Sequence, residues 1–207
     1  METTTAPGDM AETGTAATAP SAVALPHRGM AELQAAMPQI LAAPKQDGRL
    51  DLITVRPAVG ARQTPSSVRL TLAGGVEGDH WAKGCWRKTD DGAPHPDVQI
   101  CLMMSRVIRA IAGGPEDWAP AGDNLFIDMD LTPANTPPGT RLAIGDVELV
   151  VTEEPHNGCQ KFIERYGRAA CLFVNTGAGR RHRLRGIYCR VTRDGTVSAG
   201  DTVRKLG

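Results

Sequence analysis

Glycine and proline divide this chain into short segments, which limits the folds that it can adopt. The 207 residues include 23 glycines and 15 prolines, so long uninterrupted helices have few places to form. Between these breaks lie short runs in which apolar and polar residues alternate, as they do in β-strands with one buried face. We therefore predict a mainly β fold with about seven or eight strands and two or three short helices.

The alternating runs locate the individual strands. They are predicted over residues 50–56, 67–73, 98–104, 125–129, 141–144, 147–152, 187–193 and 196–203, with short helices over 105–112, 158–166 and 168–175. Gly145-Asp146 and Asp194-Gly195 each join two of these runs and are typical two-residue β-hairpin turns. We expect a closed or nearly closed antiparallel β-barrel with a few short helices, and a functional site at one rim.

The composition changes along the chain and indicates three parts. Residues 1–28 are rich in Ala, Thr and Pro and are predicted to be a disordered tail, because they contain little to bury. Residues 29–47 carry apolar side chains at the spacing of one helix face, so we expect a short helix and a linker that pack against the domain. Pro38 should kink or end that helix. Residues 48–206 are predicted to form the compact domain.

Charge and cysteine content exclude several classes of protein. Lys and Arg together number 23, as do Asp and Glu, so the net charge favours neither nucleic acid nor a membrane as a partner. No run approaches the length of a transmembrane helix. The five cysteines form no CxxC pair, which is typical of a reducing compartment. The first residues lack the basic region and apolar core of a secretory signal, so we expect a cytoplasmic protein.

One short stretch, residues 153–162, combines several features of a reactive site. A predicted strand ends at Thr152, and a short helix begins beyond Asn157. The Asn157 side chain suits an N-cap, and Gln160 occupies the capping-box position. Cys159 would then lie in the first helical turn, where free N–H groups and the helix dipole favour a thiolate. The alternative is a cysteine that only packs under the turn.

Positive charge is concentrated directly after this stretch. Residues 161–193 contain nine Lys and Arg residues and one acid. The arginines at its centre are Arg180, Arg181, Arg183 and Arg185. Such guanidinium groups suit a phosphate or another anion beside the thiolate, although a solvated face is the alternative. An RNA-binding surface is less favoured, because no aromatic residues alternate with these arginines.

A long irregular segment, residues 74–96, is a second candidate region. Loops of this length are uncommon in compact domains unless they serve a site. Its glycines allow a close backbone approach, and Asp79 is placed to orient His80. Zinc is not favoured, because the spacing of the nearby histidines and cysteines matches no structural zinc pattern.

Two other polar features lie near that segment. Arg56, Arg62 and Arg69 add positive charge before it, and we expect a solvated face from them. Asn124 lies in the step from Gly122 to a predicted strand. Its amide suits a ligand contact, although a role in the turn is the alternative.

Taken in order, these motifs make residues 48–206 similar to the MOSC domain family, which is named for the C-terminal domain of molybdenum-cofactor sulfurases. The matching features are Gly75-x-x-Gly78-Asp79-His80, Gly122-Asp123-Asn124-Leu125, Leu142-x-Ile144-Gly145, Pro155 to Cys159, Arg185-Gly186-Ile187 and Gly195-x-Val197-x-x-Gly200-Asp201. Many relatives have proline directly before the reactive cysteine, whereas three residues separate Pro155 from Cys159 here. Asp123 stands where the family usually has Glu.

The resemblance implies a β-barrel domain with a reactive cysteine that ligates molybdenum or carries sulfur. Some members, including the mitochondrial amidoxime-reducing components, are molybdenum-cofactor enzymes that reduce N-hydroxylated small molecules. On that basis Cys159 is the expected molybdenum ligand, and Asp79 and His80 are the expected catalytic neighbours. The expected residues for binding molybdopterin are Arg180, Arg181, Arg183, Arg185, Asn124 and Lys161. A soft thiolate and nearby arginines agree with this chemistry.

The electron supply would be a separate redox protein, because the chain has no flavin, haem or iron–sulfur signature. The alternative function is a sulfur carrier that holds a persulfide on Cys159 for cofactor assembly. Its partner would be a cysteine desulfurase, and pyridoxal phosphate would belong to that partner. A binding module with an inert Cys159 is a third hypothesis. A hydrolase that pairs His156 with Cys159 is least favoured, because the sequence shows no third group to orient the histidine.

Overall fold

Seven strands close into a β-barrel at the centre of the molecule. The computed structural model describes residues 27–207, and residues 1–26, which hold most of the predicted tail, lie outside the described residues. The strands are β1 (Gly48–Ile53), β2 (Ser67–Thr71), β3 (Gly75–Val76), β4 (Ile100–Met104), β5 (Leu125–Asp128), β6 (Arg141–Ile144), β7 (Val147–Val151), β8 (Ile187–Arg193), β9 (Gly195–Ser198) and β10 (Thr202–Leu206). The barrel order is β1-β10-β6-β7-β8-β4-β5, and β5 pairs with β1 to close it.

The barrel confirms the predicted architecture, with one pair of strands in a different orientation. All neighbouring barrel strands are antiparallel except β4 and β5, which are parallel. Parallel neighbours need a long crossover connection, usually through a helix. The segment between β4 and β5 provides it, since it contains a helix over Ser105–Ala112 and two 3-10 turns, Pro115–Asp117 and Ala119–Ala121.

Only one of the two predicted hairpins forms. Gly145-Asp146 joins β6 to β7, which pair from Ile144 and Val147 onward, as predicted. The prediction of a hairpin at Asp194-Gly195 is wrong, because β8 and β9 belong to different sheets. Both edges of β8 are occupied inside the barrel by β4 and β7. Strand β9 instead pairs with β2 in a separate sheet of order β3-β2-β9.

Short helices surround the barrel. They are α1 (Met30–Ala35), α2 (Met37–Leu41), α3 (Trp81–Gly84), α4 (Ser105–Ala112), α5 (Gln160–Asn175) and α6 (Gly177–Arg181), with a further 3-10 turn at Pro96–Val98. Leu33 of α1 and Ile40 of α2 are buried in the same apolar cluster as the barrel interior. The break between these two helices falls at Ala36, and Pro38 stands in the first turn of α2, where proline is tolerated. None of the helices in residues 27–207 has the length and apolar character needed to cross a membrane.

Helix α5 changes direction in its middle. Gly167 has φ 86° and ψ 164°, which are not helical angles, and only glycine adopts such a backbone readily. The sequence therefore indicates this interruption correctly, with one helical segment before Gly167 and another from Arg168 to Asn175. The change of direction brings the end of α5 back to the residues that precede its beginning, which is important at the site.

Candidate functional site

Cys159 lines a cavity of about 460 Å³ with a strongly cationic wall. The volume lies within the usual range for small-molecule sites, about 300–1,000 Å³. Five cations share the wall with Cys159: Arg56, Arg62, Lys161, Arg165 and Arg185. Trp86, Phe162 and Tyr188 add aromatic surface. Among the described residues, no carboxylate lines the cavity. Arg56 and Arg185 pair with buried carboxylates, so the charges of Arg62, Lys161 and Arg165 are the ones that favour an anionic ligand.

Cys159 is the N-cap of α5. It has extended backbone angles, φ −113° and ψ −178°, and its carbonyl oxygen accepts hydrogen bonds from the N–H groups of Phe162 and Ile163. The prediction that Asn157 caps this helix is wrong, because the helix begins two residues further on and no capping box forms with Gln160. Cys159 therefore precedes the first turn instead of lying within it. It is the exposed member of the five cysteines, all of which are free thiols.

Asp79 and Arg56 form a buried ion pair behind this cavity. The Asp79 side chain is 0% exposed and that of Arg56 is 15% exposed. The carboxylate accepts hydrogen bonds from Arg56 Nε at 2.8 Å and Nη2 at 3.0 Å. Burial by itself raises the pKa of Asp79, but hydrogen bonds and charge from Arg56 hold that pKa below its ordinary value. The prediction that Asp79 orients His80 is wrong, because the carboxylate is engaged by Arg56, Trp81 and Asn124.

His80 is held by a backbone carbonyl. Its Nδ1 lies 2.6 Å from the carbonyl oxygen of Arg56. Because a carbonyl oxygen can only accept, Nδ1 carries the hydrogen, and Nε2 is the nitrogen left to take up or release a proton. His80 lines the same cavity as Cys159, so the structure brings these two predicted residues together.

Asn124 does not line the cavity, but it is hydrogen-bonded to two residues that do, Arg56 and Cys101. It is fully buried, and its Oδ1 accepts hydrogen bonds from the N–H of Cys101 at 3.1 Å and from Arg56 Nη2 at 3.2 Å. Its Nδ2 donates to Asp79 at 3.2 Å. Any effect of Asn124 on a ligand is therefore indirect and acts through the position of Arg56.

A second buried pair joins Arg185 to Asp123. Arg185 Nη1 lies 2.9 and 2.7 Å from the two carboxylate oxygens of Asp123, and the guanidinium stacks over the Phe162 ring at 4.9 Å. His156 Nδ1 approaches Asp123 to 3.5 Å, and its ring packs against Tyr188 at 4.4 Å. Burial, followed by the charge of Arg185, lowers the pKa of His156 well below its ordinary value. His156 is therefore neutral near pH 7, and its approach to Asp123 is not an ion pair.

Three buried polar atoms at the cavity lack hydrogen-bond partners within the described residues. They are Arg62 Nε, His156 Nδ1 and Arg185 Nε, and all three residues line the cavity. Buried polar groups are normally satisfied, so these atoms indicate a site that a ligand would complete. Burial, with the charges of Arg165 and Arg56, lowers the pKa of Arg62. That repulsion shows positive charge which the surrounding residues do not neutralise.

The predicted arginine cluster is divided between two cavities. Arg180 and Arg183 line an adjoining cavity of about 200 Å³, whose wall also includes Arg185 and the segment Pro155 to Asn157. Arg185 therefore contributes to both cavities. Arg181 is exposed and lines neither of them. Lys161 lies in the Cys159 cavity.

The sequence reasoning missed three cations that the fold gathers beside Cys159. Arg56 and Arg62 were expected on a solvated face, and that interpretation is wrong because both line the cavity. Arg165 was not singled out. Arg69 does lie on the surface, with its side chain 53% exposed. A signal was present, because residues 56–69 contain three arginines and no acid, but a count of charges does not reveal burial.

A family model described as the MOSC domain matches residues 95–204, more than half of the 207-residue chain. The chain belongs to the MOSC domain family. The matched region includes Cys159, Asp123 and Arg185, whereas Arg56 and His80 precede it. No curated protein matches the chain.

Solved structures agree with this assignment at the level of the fold. The crystal structure of a hypothetical protein has 23% identity and a TM-score of 0.52, over 79% of this chain and 69% of that one. The YUAD protein from Bacillus subtilis has 17% identity and a TM-score of 0.52, over 77% and 97%. YiiM from Geobacillus stearothermophilus has 15% identity and a TM-score of 0.50, over 77% and 75%. At such identities the similarity shows the MOSC-type fold alone.

Proposed function

We propose that this MOSC protein binds the molybdenum cofactor in the Cys159 cavity and reduces N-hydroxylated compounds. The observation that supports this most directly is the shared wall, because Cys159, an exposed free cysteine, lines the same cavity as five cationic residues. A thiolate is a soft ligand that suits a thiophilic metal. Guanidinium groups suit the phosphate of a pterin cofactor.

The residues of the cavity fit that cofactor. The unpartnered Nε atoms of Arg62 and Arg185 are donors that a phosphate or a pterin ring would satisfy. Arg56 and Arg185 are already paired with buried carboxylates. Arg62, Lys161 and Arg165 are therefore the cations we assign to the phosphate.

The protein residues have separate roles in the proposed reaction. When bound, the cofactor would supply the two-electron chemistry for cleavage of an N–O bond. Cys159 would hold the metal, and His80 would exchange a proton through Nε2, because Nδ1 is engaged by a carbonyl. Asp79 and Asn124 would act by holding Arg56. Arg180 and Arg183 would contact only a ligand that extends past His156 into the adjoining cavity.

The test is metal and pterin analysis of protein produced with cofactor synthesis intact. Wild type and Cys159→Ala are compared with Cys85→Ala, whose thiol is buried outside the Cys159 cavity. We expect molybdenum and pterin in wild type and in Cys85→Ala, and loss of the metal in Cys159→Ala. Wild-type protein with neither component above background would refute the proposal. A screen of N-hydroxylated substrates with an artificial reductant follows a positive result.

A second candidate function rests on the exposure of the same thiol. Cys159 is accessible at a helix N-terminus beside cations, which suits a persulfide delivered by a cysteine desulfurase. Incubation with a desulfurase and cysteine should then increase the mass of the Cys159 peptide by one sulfur atom. Absence of that increase, with the desulfurase shown to be active, would count against a carrier. Pyridoxal phosphate would belong to the desulfurase in this scheme.

A further inference from the structure

Within the described residues, the backbone of the segment before Cys159 is hydrogen-bonded to one side chain, that of Asn175. The Gly158 N–H donates to Asn175 Oδ1 at 2.8 Å, and Asn175 Nδ2 donates to the Gly158 carbonyl oxygen at 3.1 Å. Within the described residues, the backbone of 153–158 makes no other hydrogen bond. The two bonds hold both polar groups of the residue that precedes the reactive thiol.

The two hydrogen bonds between Asn175 and Gly158 form a clamp, and this clamp depends on the change of direction in α5. A straight helix of 16 residues would be about 24 Å long, yet Asn175, the last residue of α5, contacts Gly158, which lies just before its start. The non-helical backbone of Gly167 makes that return possible. A Cβ at Gly167 would lie 2.7 Å from the His27 ring, so a larger residue is excluded by contact as well as by backbone angle.

The packing around Gly158 leaves no room for a side chain. A Cβ at Gly158 would lie 2.9 Å from Asn175 Nδ2 and 3.3 Å from Cys171 Sγ. Asn175 Nδ2 is itself 3.2 Å from Cys171 Sγ, so the amide is held between the thiol and the Gly158 carbonyl. Gly158 does not have a positive φ. The glycine is therefore required by the close approach of Asn175 and not by its own backbone conformation.

We propose that Asn175 is a positioning residue that keeps the Cys159 thiol directed into the cationic cavity. Cys159 directly follows the clamped peptide and begins the helix. With both polar groups of Gly158 held, the chain enters α5 at one angle, and the thiol shares a wall with Arg56, Arg62 and Arg165. Without the clamp, residues 153–158 lose all of their described backbone hydrogen bonds. This inference rests on the proposed role of Cys159 as the reactive group, but it requires no bound cofactor.

The test compares two alkylating reagents on cofactor-free protein. Iodoacetate is an anion and iodoacetamide is neutral, so the ratio of their rates at Cys159 reports the positive field at the thiol. Focused fields raise encounter rates of anions by about tenfold or more, so the wild-type ratio should exceed that of free cysteine by about that factor. In Asn175→Ala and in Gly158→Ala the ratio should fall to within about twofold of free cysteine, since the field acts only on a thiol that faces the cavity.

Thr176→Ala is the matched control. Thr176 is the next residue at the same helix end. Its hydroxyl donates to the Leu172 carbonyl oxygen at 2.7 Å, and within the described residues it makes no hydrogen bond to residues 153–158. In Thr176→Ala the ratio of the iodoacetate rate to the iodoacetamide rate at Cys159 should remain that of wild type. The buried thiols of Cys85 and Cys189, neither of which lines the Cys159 cavity, should stay unlabelled in every variant, which shows that the fold is kept.

Two results would overturn the proposal. One is a wild-type ratio in Asn175→Ala while the buried thiols stay protected. The other is the same loss in Thr176→Ala, which would show that fraying of the helix end is responsible. If Asn175→Ala exposes the buried thiols, Gly158→Ala decides, because it displaces the amide without removing it. Since no metal enters this measurement, absence of molybdenum from the protein would refute the proposed function and leave this result standing.

Discussion

Removal of Asp79 should be among the most damaging single changes at the site. The carboxylate is completely buried and accepts five hydrogen bonds. They come from Arg56 N at 2.9 Å, Arg56 Nε at 2.8 Å, Arg56 Nη2 at 3.0 Å, Trp81 N at 2.8 Å and Asn124 Nδ2 at 3.2 Å. Asp79→Ala leaves these donors without their acceptor and leaves the Arg56 guanidinium without its counter-charge.

The size of the effect follows from the burial of the pair. Loss of one partner of a buried ion pair costs about 3–5 kcal/mol, because the other charge stays buried and unpaired. The total unfolding free energy of a domain is about 5–15 kcal/mol, so Asp79→Ala should remove a large fraction of it. The double variant Asp79→Leu with Arg56→Met removes both charges and should recover about 2 kcal/mol or more of that loss.

Urea unfolding near pH 7 measures this directly. Wild type, Asp79→Leu, Arg56→Met and the double variant form a cycle whose coupling energy isolates the interaction of the pair. Because Arg56→Met by itself should also cost about 3–5 kcal/mol, the two single losses minus the loss in the double variant give a coupling of about 5 kcal/mol or more, with similar m-values for all four proteins. A coupling below about 0.5 kcal/mol would show that the two side chains do not depend on each other, and would refute the description of Asp79 as the support of Arg56.

Three further changes test other parts of the structure. The pKa of His156 is lowered by burial, so unfolded chains take up its proton first as the pH falls. The contribution of the neutral imidazole to stability is fully present above about pH 6.5 and is lost as the pH falls toward the lower folded-state pKa. His156→Gln should remove that part of the pH dependence in urea titrations. Gly186→Ala should cost about 3 kcal/mol or more, since φ is +110° and a Cβ would overlap a carbonyl oxygen of β4; a thermal midpoint within about 2 °C of wild type would contradict this. Arg185→Met leaves the buried Asp123 carboxylate without its partner and should cost about 3–5 kcal/mol of unfolding free energy. Arg181 is exposed, so Arg181→Met should change stability by less than about 0.5 kcal/mol. Equal losses in the two variants would show that the Arg185–Asp123 pair does not stabilise the fold.

The strands and the family could be predicted from local pattern. Alternating residues predict the strand cores because burial on one face of a strand repeats every two residues. The break at Gly167 and the turn at Gly145-Asp146 follow from the positive φ values that glycine adopts at both positions. The same local rules failed at Asp194-Gly195, because pairing depends on which strand edges are already occupied. Both edges of β8 pair with other barrel strands, β4 and β7, and the sequence of residues 187–203 does not indicate this pairing.

At the site, too, the sequence determines some features and the tertiary structure determines others. The sequence by itself determines that Cys159 lies between a strand and a helix, close in the chain to Lys161 and before a run of arginines. Only the tertiary structure decides which cations reach the thiol. Arg56 and Arg62, about a hundred residues away in the chain, line its cavity, whereas the nearer Arg181 does not. The physical reason is that charge and burial are set by contacts across the barrel. Asp79 and Asp123 therefore neutralise Arg56 and Arg185, and Asn175 can hold Gly158 only because α5 turns back at Gly167.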